Sequence, residues 1–447
     1  MHGSSAKSWN ESKNYVLVAL TTILVFNYVD RVALGILLQN IKTDLALTDT
    51  ELGFLSGLGF ALFYSVMGIP IARWADRGNR VAIISITVIF WSIAVAACGL
   101  AGSFLQLLLI RICVAVGEAG CVPPSYSLIA DYFDRAERPR ANAIYGMGGA
   151  IATVIGFSVA GWLNQYYGWR TTFLVLGAPG VLLAAIAWSS LKEPRRLARS
   201  ASNTHQNDLE CGEDASSAGL AEVATVLWSN RTFRHLLLCF SVVLLFLYGV
   251  MQWQPTFFVR SYGLTTGKLG TWLALTWGIG SLAGSYVGGE FSSRYAANNE
   301  RLQLKMMAGA VALSGIFSIF IYIVPDRNIA FALIFVSFVG LTTVNGPLIA
   351  TIQTLVPRDM RAVSFALVFL VANLIGMGLG PLAVGMMSDT LRHWAGEESL
   401  RYALLALSPG YLWAAWHAWE ASKSVSDDVA LAADELEHIR HEYIQHG

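Results

Sequence analysis

Four charged side chains lie inside stretches of sequence that are otherwise apolar. Asp30 and Arg31 are adjacent, and Arg111 and Glu118 lie seven residues apart in a second apolar stretch. A charged residue at the centre of a membrane helix costs about 2.5 to 3.5 kcal/mol on insertion scales, so each of the four needs a partner or a function. Seven residues are two helical turns, which places Arg111 and Glu118 on one helix face, about 10 Å apart along the axis. We expect the two acids and two bases to face one cavity and to neutralise one another.

A carboxyl group in such a cluster is suited to binding and releasing a proton. Burial favours its neutral form and a neighbouring guanidinium favours its charged form, so movement of either partner shifts the balance. We therefore predict that Asp30 and Glu118 carry a coupling proton. Arg31 or Arg111 is then the candidate to bind the anionic group of a substrate through a bidentate contact. The alternative is a static salt-bridge network that only fixes helix packing.

The composition indicates that these helices lie in a membrane. Of 447 residues, 13% are charged, where about 25% is usual for a soluble domain, and 55% are hydrophobic. This balance excludes a soluble enzyme and a protein with a single membrane anchor. A formal net charge of zero and the lack of a dense basic tract argue against nucleic-acid binding. The five cysteines show no metal-ligand spacing, so we expect no disulfide framework, no metal and no cofactor.

Continuous apolar runs of about 20 residues predict membrane-spanning helices rather than barrel strands. Six lie on each side of a polar interval, near 14–38, 51–72, 81–101, 104–131, 141–163 and 171–191, and near 233–258, 267–291, 305–324, 329–355, 361–389 and 400–419. The predicted fold is an all-α membrane protein of twelve transmembrane helices in two six-helix pseudo-repeats. Its parts are a tail (1–13), a first bundle (14–191), a cytoplasmic linker (192–230), a second bundle (231–422) and an amphipathic cytoplasmic helix (423–447).

The distribution of basic residues predicts the orientation of the chain in the membrane. Loops after even-numbered crossings hold 17 Lys and Arg residues, whereas loops after odd-numbered crossings hold seven. Because positively charged loops stay in the cytoplasm, both termini are expected there. Two parallel repeats around a site near the bilayer midplane are typical of secondary transporters. No GxxxxGK[ST], HExxH or GxSxG motif occurs, so neither an ATP-driven pump nor an enzyme is expected.

The stretch between the second and third crossings resembles a known signature. Ala72-Arg-Trp-Ala-Asp76-Arg77-Gly-Asn79-Arg80 resembles the G-x-x-x-D-R-x-G-R motif of the major facilitator superfamily, with Ala72 and Asn79 in place of two glycines. In that superfamily the aspartate latches the cytoplasmic side to the other half. The resemblance therefore implies gating roles for four residues: Asp76, Arg77, Arg80 and, in a segment similar to one of the second half, Arg140.

Within the superfamily, three segments resemble the Spinster family. They are Asn27-Tyr28-Val29-Asp30-Arg31, Arg111 with Gly117-Glu118-Ala119, and Trp253-Gln-Pro255. That family is associated with export of sphingolipids and lysophospholipids, so the resemblance implies alternating-access transport of an amphipathic anionic lipid, coupled to protons. The Asp-Arg pair and the Arg-x6-Glu spacing also resemble symporters of sugar acids, which leaves a small organic anion as the alternative.

The resemblance and the residue types together indicate the partners of this protein. The predicted substrate contacts are Arg31, Arg111, Asn27, Tyr28, Trp253 and Asn373. We expect a monomer in a bacterial inner membrane, with protons, membrane lipid and an amphipathic or anionic small molecule as partners. The direction of transport stays open, because the fifth crossing lacks the Gly-Pro step of the superfamily's antiporters.

Overall fold

A computed structural model describes residues 2–134, 137–194, 225, 227–296, 299–356 and 361–446. Side chains are not described for residues 2–12, 76, 139, 295, 345, 349, 350, 353, 361–363, 365, 366 and 432–446. Within these limits all regular secondary structure is helical.

The helices of the first part of the chain follow its apolar runs. They are α1 (His2–Leu45), α2 (Asp49–Ser56), α3 (Leu58–Arg77), α4 (Arg80–Cys98), α5 (Phe104–Glu118), α6 (Val122–Tyr132) and α7 (Arg138–Ser190). Polar side chains start several of them by binding free backbone N–H groups. Thr48 forms a capping box with Glu51 at α2, Asn79 accepts from Ala82 at α4, and Ser103 accepts from Gln106 at α5.

The helices of the second part include two π-helical turns. They are α8 (Arg231–Tyr262), α9 (Thr266–Leu273), α10 (Gly280–Tyr295), α11 (Glu300–Ile321), α12 (Arg327–Thr342), α13 (Asn345–Leu355), α14 (Arg361–Asn373), α15 (Gly380–Ala395), α16 (Ser399–Leu407) and α17 (Gly410–His446). The π-helical turns are Ala274–Ile279, before α10, and Leu374–Leu379, before α15. The predicted helix over 423–447 falls on the end of α17.

Nine stretches of the described residues are long and apolar enough to cross a membrane. Two are far longer than the roughly 20 residues that one crossing needs: Arg140–Ser190 and Leu367–Leu431. The first holds the predicted fifth and sixth crossings and is interrupted at Gly168, whose φ of 77° is outside the helical region. The second holds most of the eleventh and all of the twelfth. The multi-pass helical fold is therefore present, and the count of twelve and the sidedness stay predictions.

The contacts between helices divide the chain into two units. The first unit consists of residues 1–211 and 251–274, so it includes the second part of α8 and all of α9. Within it α1 and α4 pack against α7, α3 packs against α5, and α9 packs against α7. The predicted bundles divide the chain at the linker instead, and those boundaries stay a prediction.

The second unit consists of residues 212–250 and 275–447. Its core forms around α11, which packs against α12 and α17, and α10 packs against α12. Core side chains are supplied by α8, α11 and α17, among them Phe240, Leu304, Val311 and Tyr411.

Candidate functional site

The four charged residues come from two helices of the first unit. Asp30 and Arg31 lie in α1, and Arg111 and Glu118 lie in α5. All four are buried, with exposed fractions from 0% for Glu118 to 7% for Arg31. The structure therefore brings together all four residues that their position in apolar sequence singles out.

Each acid of one helix pairs with a base of the other. Arg111 Nη1 lies 2.6 Å from Asp30 Oδ2, and Arg31 Nε lies 2.5 Å from Glu118 Oε2. Removing one partner from a buried ion pair leaves an uncompensated charge and typically costs about 3 to 5 kcal/mol. The crossed pairing therefore ties α1 to α5 and keeps four ions in an apolar interior.

The two pairs form one electrostatic cluster. Glu118 interacts with Asp30 and Arg111 as well as with Arg31, and Arg31 also interacts with Asp30. In the described part of the chain, Asp30 Oδ1, Glu118 Oε1 and Arg111 Nε form no hydrogen bond. The cluster is neutral overall, yet it has buried groups without a hydrogen bond. The carboxylate oxygens can bind a proton, and the N–H group can donate to an anion.

Aromatic rings surround the Arg31 guanidinium. Its central carbon lies 4.4 Å from the ring centre of Tyr64 and 4.9 Å from those of Tyr28 and Phe60. Arg111 lies 5.0 Å from the Phe60 ring. Cation–π attraction holds a guanidinium in place while leaving its N–H groups available to a carboxylate. Tyr28 is predicted from the sequence. Phe60 and Tyr64 are not, because their i, i+4 spacing on α3 is common in any apolar helix.

Two further predicted contacts lie in the first unit. Asn27, one turn before the Asp30–Arg31 pair, is fully buried, and in the described residues neither atom of its amide forms a hydrogen bond. Trp253 is fully buried on α8. Next to it, Gln252 donates from Nε2 to the backbone oxygen of Arg31 over 3.2 Å. This contact adds α8 to the helices that meet at the cluster.

Asn373 belongs to the second unit. Its Nδ2 donates to the backbone oxygen of Phe369, and Tyr248 donates to its Oδ1 over 3.4 Å. A direct role at the charged cluster therefore stays a prediction for this residue.

The predicted gating residues have different environments. Arg80 is fully buried at the start of α4, where it binds Glu193 and Asp131 and donates to Ser127. Arg77 and Arg140 are exposed, and the side chain of Asp76 lies outside the described residues. Arg80 thus joins three segments of its own unit, and the gating roles of all four stay predictions.

A second ion cluster, which is not predicted from the sequence, lies at the junction of α1, α2 and α8. Arg260 binds both carboxylate oxygens of Asp49, at 2.7 and 2.8 Å, and donates to Gln39. Lys42 Nζ lies 2.5 Å from the same carboxylate. Asp49 and Arg260 lie at the ends of apolar runs, where charged residues are expected. Their positions in the sequence therefore do not predict a buried ion pair.

A family comparison identifies the superfamily of the chain. The model of the Major Facilitator Superfamily matches residues 20–381. The chain belongs to the major facilitator superfamily. This major facilitator is accordingly a multi-pass integral membrane transporter, and the membership supports its being no enzyme. The resemblance predicted from the Asp76-Arg77 signature is confirmed.

Individual relatives refine the comparison. A crystal structure of a bacterial homologue of the human lysosomal transporter Spinster, inward-facing and unoccupied, has 30% identity and a TM-score of 0.83 over 93% of this chain and 98% of that chain. An MFS-type efflux pump of Mycolicibacterium smegmatis is 30% identical over 391 residues, 87% of each protein. A probable L-galactonate transporter of Escherichia coli is 27% identical over 267 residues, 59% of this chain and 58% of that protein. The predicted similarity to Spinster is confirmed.

Proposed function

We propose that this major facilitator is a proton-coupled transporter of an amphipathic anionic lipid, similar to a sphingolipid or lysophospholipid. The crossed pairing of Asp30 with Arg111 and of Glu118 with Arg31 is the observation that carries the proposal. Buried carboxylates held by arginines are groups whose charge changes when a partner moves. Likeness to the Spinster homologue supports the lipid class. We also propose a bacterial inner membrane location and a monomer.

Charge balance at the cluster couples the binding of a proton to the binding of the anionic substrate. The four groups are neutral together, so a proton or an anion that binds alone leaves a buried charge uncompensated. A proton on Glu118 or Asp30 weakens its hold on the paired arginine, and that guanidinium can then accept the anionic head of the substrate. Proton and anion binding therefore favour each other, and by linkage the affinity for the anion rises as pH falls.

The proton-coupling step is tested in vesicles. We expect Asp30→Asn and Glu118→Gln to lose accumulation driven by a pH gradient, because neither amide can release a proton. Exchange of substrate across the membrane without a gradient should persist and would show that the variants fold. Asp44→Asn is the control, since this carboxylate is 48% exposed and pairs with Arg170. Full gradient-driven accumulation by both cluster variants would end the proposal.

The alternative substrate is a small organic anion such as a sugar acid. The similarity to a probable L-galactonate transporter favours it, and the same guanidinium chemistry would bind a sugar carboxylate. Thermal unfolding with a lysophospholipid, with sphingosine phosphate or with a hexonate separates the two classes, because a ligand stabilises only the protein that binds it. Stabilisation by the hexonate alone would show that the substrate is a small organic anion and would rule out the proposed lipid.

A further inference from the structure

A cleft outside the ion cluster joins the start of α1 to the α6–α7 connection. Its volume is about 420 Å³, and its walls are Lys13, Asn14, Leu17, Phe133, Glu137, Arg140, Ala141 and Ile144. All of these residues belong to the first unit. The volume lies in the range of roughly 300 to 1,000 Å³ that is usual for small-molecule sites.

The polar part of the cleft carries a net positive charge. Lys13 Nζ lies 2.8 Å from both oxygens of Glu137 and 5.7 Å from the ring centre of Phe133. Arg140 forms no hydrogen bond or ion pair in the described part of the chain, and the same is true of the Asn14 amide. Two cations therefore face one carboxylate, and Arg140 and Asn14 have donors to spare for an anion.

The predicted crossings place the cleft at the depth of the lipid head groups. Lys13 and Arg140 immediately precede the apolar runs near 14–38 and 141–163, and Phe133 follows the run near 104–131. Leu17 lies one helical turn beyond Lys13, and Ile144 one turn beyond Arg140, about 6 Å further into each span. The walls thus change from cationic to apolar along the direction in which a phospholipid changes from phosphate to acyl chain.

We infer that this cleft binds the phosphate of an anionic membrane phospholipid through Arg140 and Lys13, with the glycerol and upper acyl chain against Leu17 and Ile144. Basic pockets between membrane helices are known to bind anionic head groups. Glu137 competes with the phosphate for Lys13. This lipid is separate from the transported substrate, and the inference does not depend on the proposed function.

The test is a titration of phosphatidylglycerol into nanodiscs of phosphatidylcholine that contain the purified protein. Thermal unfolding is the readout, because a lipid that binds the folded state raises its midpoint. We expect Arg140→Gln to require about five-fold more phosphatidylglycerol for half of the full shift, as one cation is lost near the membrane surface. Arg73→Gln removes an equal charge from an exposed side chain outside the cleft, and should respond as the unaltered protein does.

A second variant changes the affinity in the opposite direction. Glu137→Gln frees Lys13 from its carboxylate, so half of the full shift should need less phosphatidylglycerol. Loss of a 46% exposed carboxylate should leave the fold intact. The inference is overturned if Arg140→Gln and Arg73→Gln respond alike or if Glu137→Gln weakens the response. An equal shift with inorganic phosphate in pure phosphatidylcholine would also overturn it, because a free anion would then suffice.

Discussion

Arginines in the interior of the first unit share one arrangement. Arg31, Arg80, Arg111 and Arg260 are each buried and each bind a carboxylate from another segment of the chain. A guanidinium suits this position because its planar N–H groups bind a carboxylate in fixed geometry and it stays charged at every working pH. These ion pairs hold particular helices together. Breaking one of them should therefore lower the free energy of unfolding.

Loss of the Asp49 carboxylate should destabilise the folded protein. Asp49→Asn removes the carboxylate that serves both Arg260 and Lys42. We expect a loss of about 3 to 5 kcal/mol in the free energy of unfolding, because Arg260 and Lys42, whose side chains are only 5% and 11% exposed, lose their partner. Asp44→Asn is the matched control: it breaks the exposed pair with Arg170 and should cost at most about 1 kcal/mol. Unfolding in detergent measures both, and equal losses would contradict the prediction.

Part of the candidate site is predictable from the sequence. Asp30, Arg31, Arg111 and Glu118 stood out because a charge in an apolar run is expensive. The sequence does not predict which acid pairs with which base, because the pairing depends on how α1 and α5 pack against each other. Phe60 and Tyr64 cannot be distinguished by sequence from the other aromatic residues of apolar helices. Asp49 lies at a helix end, where a charged residue is common and does not indicate a buried ion pair.

Two glycines lie where α9 packs directly against α7. A methyl group placed on Gly270 would lie 2.1 Å from the backbone oxygen of Phe157, and one on Gly161 would lie 2.4 Å from that of Thr266. Polar contacts accompany them: Thr266 donates to the backbone oxygen of Gly161, and Gly267 N–H donates to Gln165. Residues without a side chain therefore let the two backbones touch.

Substitution of these glycines should separate the two helices. Gly270→Ala places a methyl group against a backbone atom that cannot move aside, so we expect a loss of about 1 to 3 kcal/mol in stability. Gly149→Ala, also in α7, meets nothing within 4 Å. This control should be neutral or gain up to about 1 kcal/mol, because alanine favours helix. Thermal unfolding of the two variants side by side is the measurement, and a stable Gly270→Ala would show that α7 and α9 are not held this closely.

Helix boundaries are predictable where a local sequence feature, such as a glycine, marks them. The interval between the apolar runs near 141–163 and 171–191 contains the helix break at Gly168, because a positive φ favours glycine. The predicted eighth crossing, 267–291, instead consists of α9, a π-helical turn and α10. Its first part belongs to the first unit by its contacts. Hydropathy along a sequence contains no information on which distant helix a segment touches.

For the whole molecule, orientation in the membrane is the property that the sequence predicts and a fold alone does not. The excess of basic residues in the loops after even-numbered crossings predicts that these loops lie in the cytoplasm. Single cysteines in a variant that lacks the five native ones can report it. Ser293→Cys lies in the predicted loop after the eighth crossing, Asn328→Cys lies in the loop after the ninth, and both positions are exposed.

We expect a membrane-impermeant maleimide to label Asn328→Cys in intact cells and to label Ser293→Cys only after the membrane is permeabilised. A reversed pattern would show that the basic loops face outward, against the general bias. The lipid cleft depends on the same result, because Lys13 precedes the first predicted crossing and Arg140 the fifth. Both residues therefore lie on the side of Ser293, so labelling of Ser293→Cys from outside would assign their lipid to the outer leaflet.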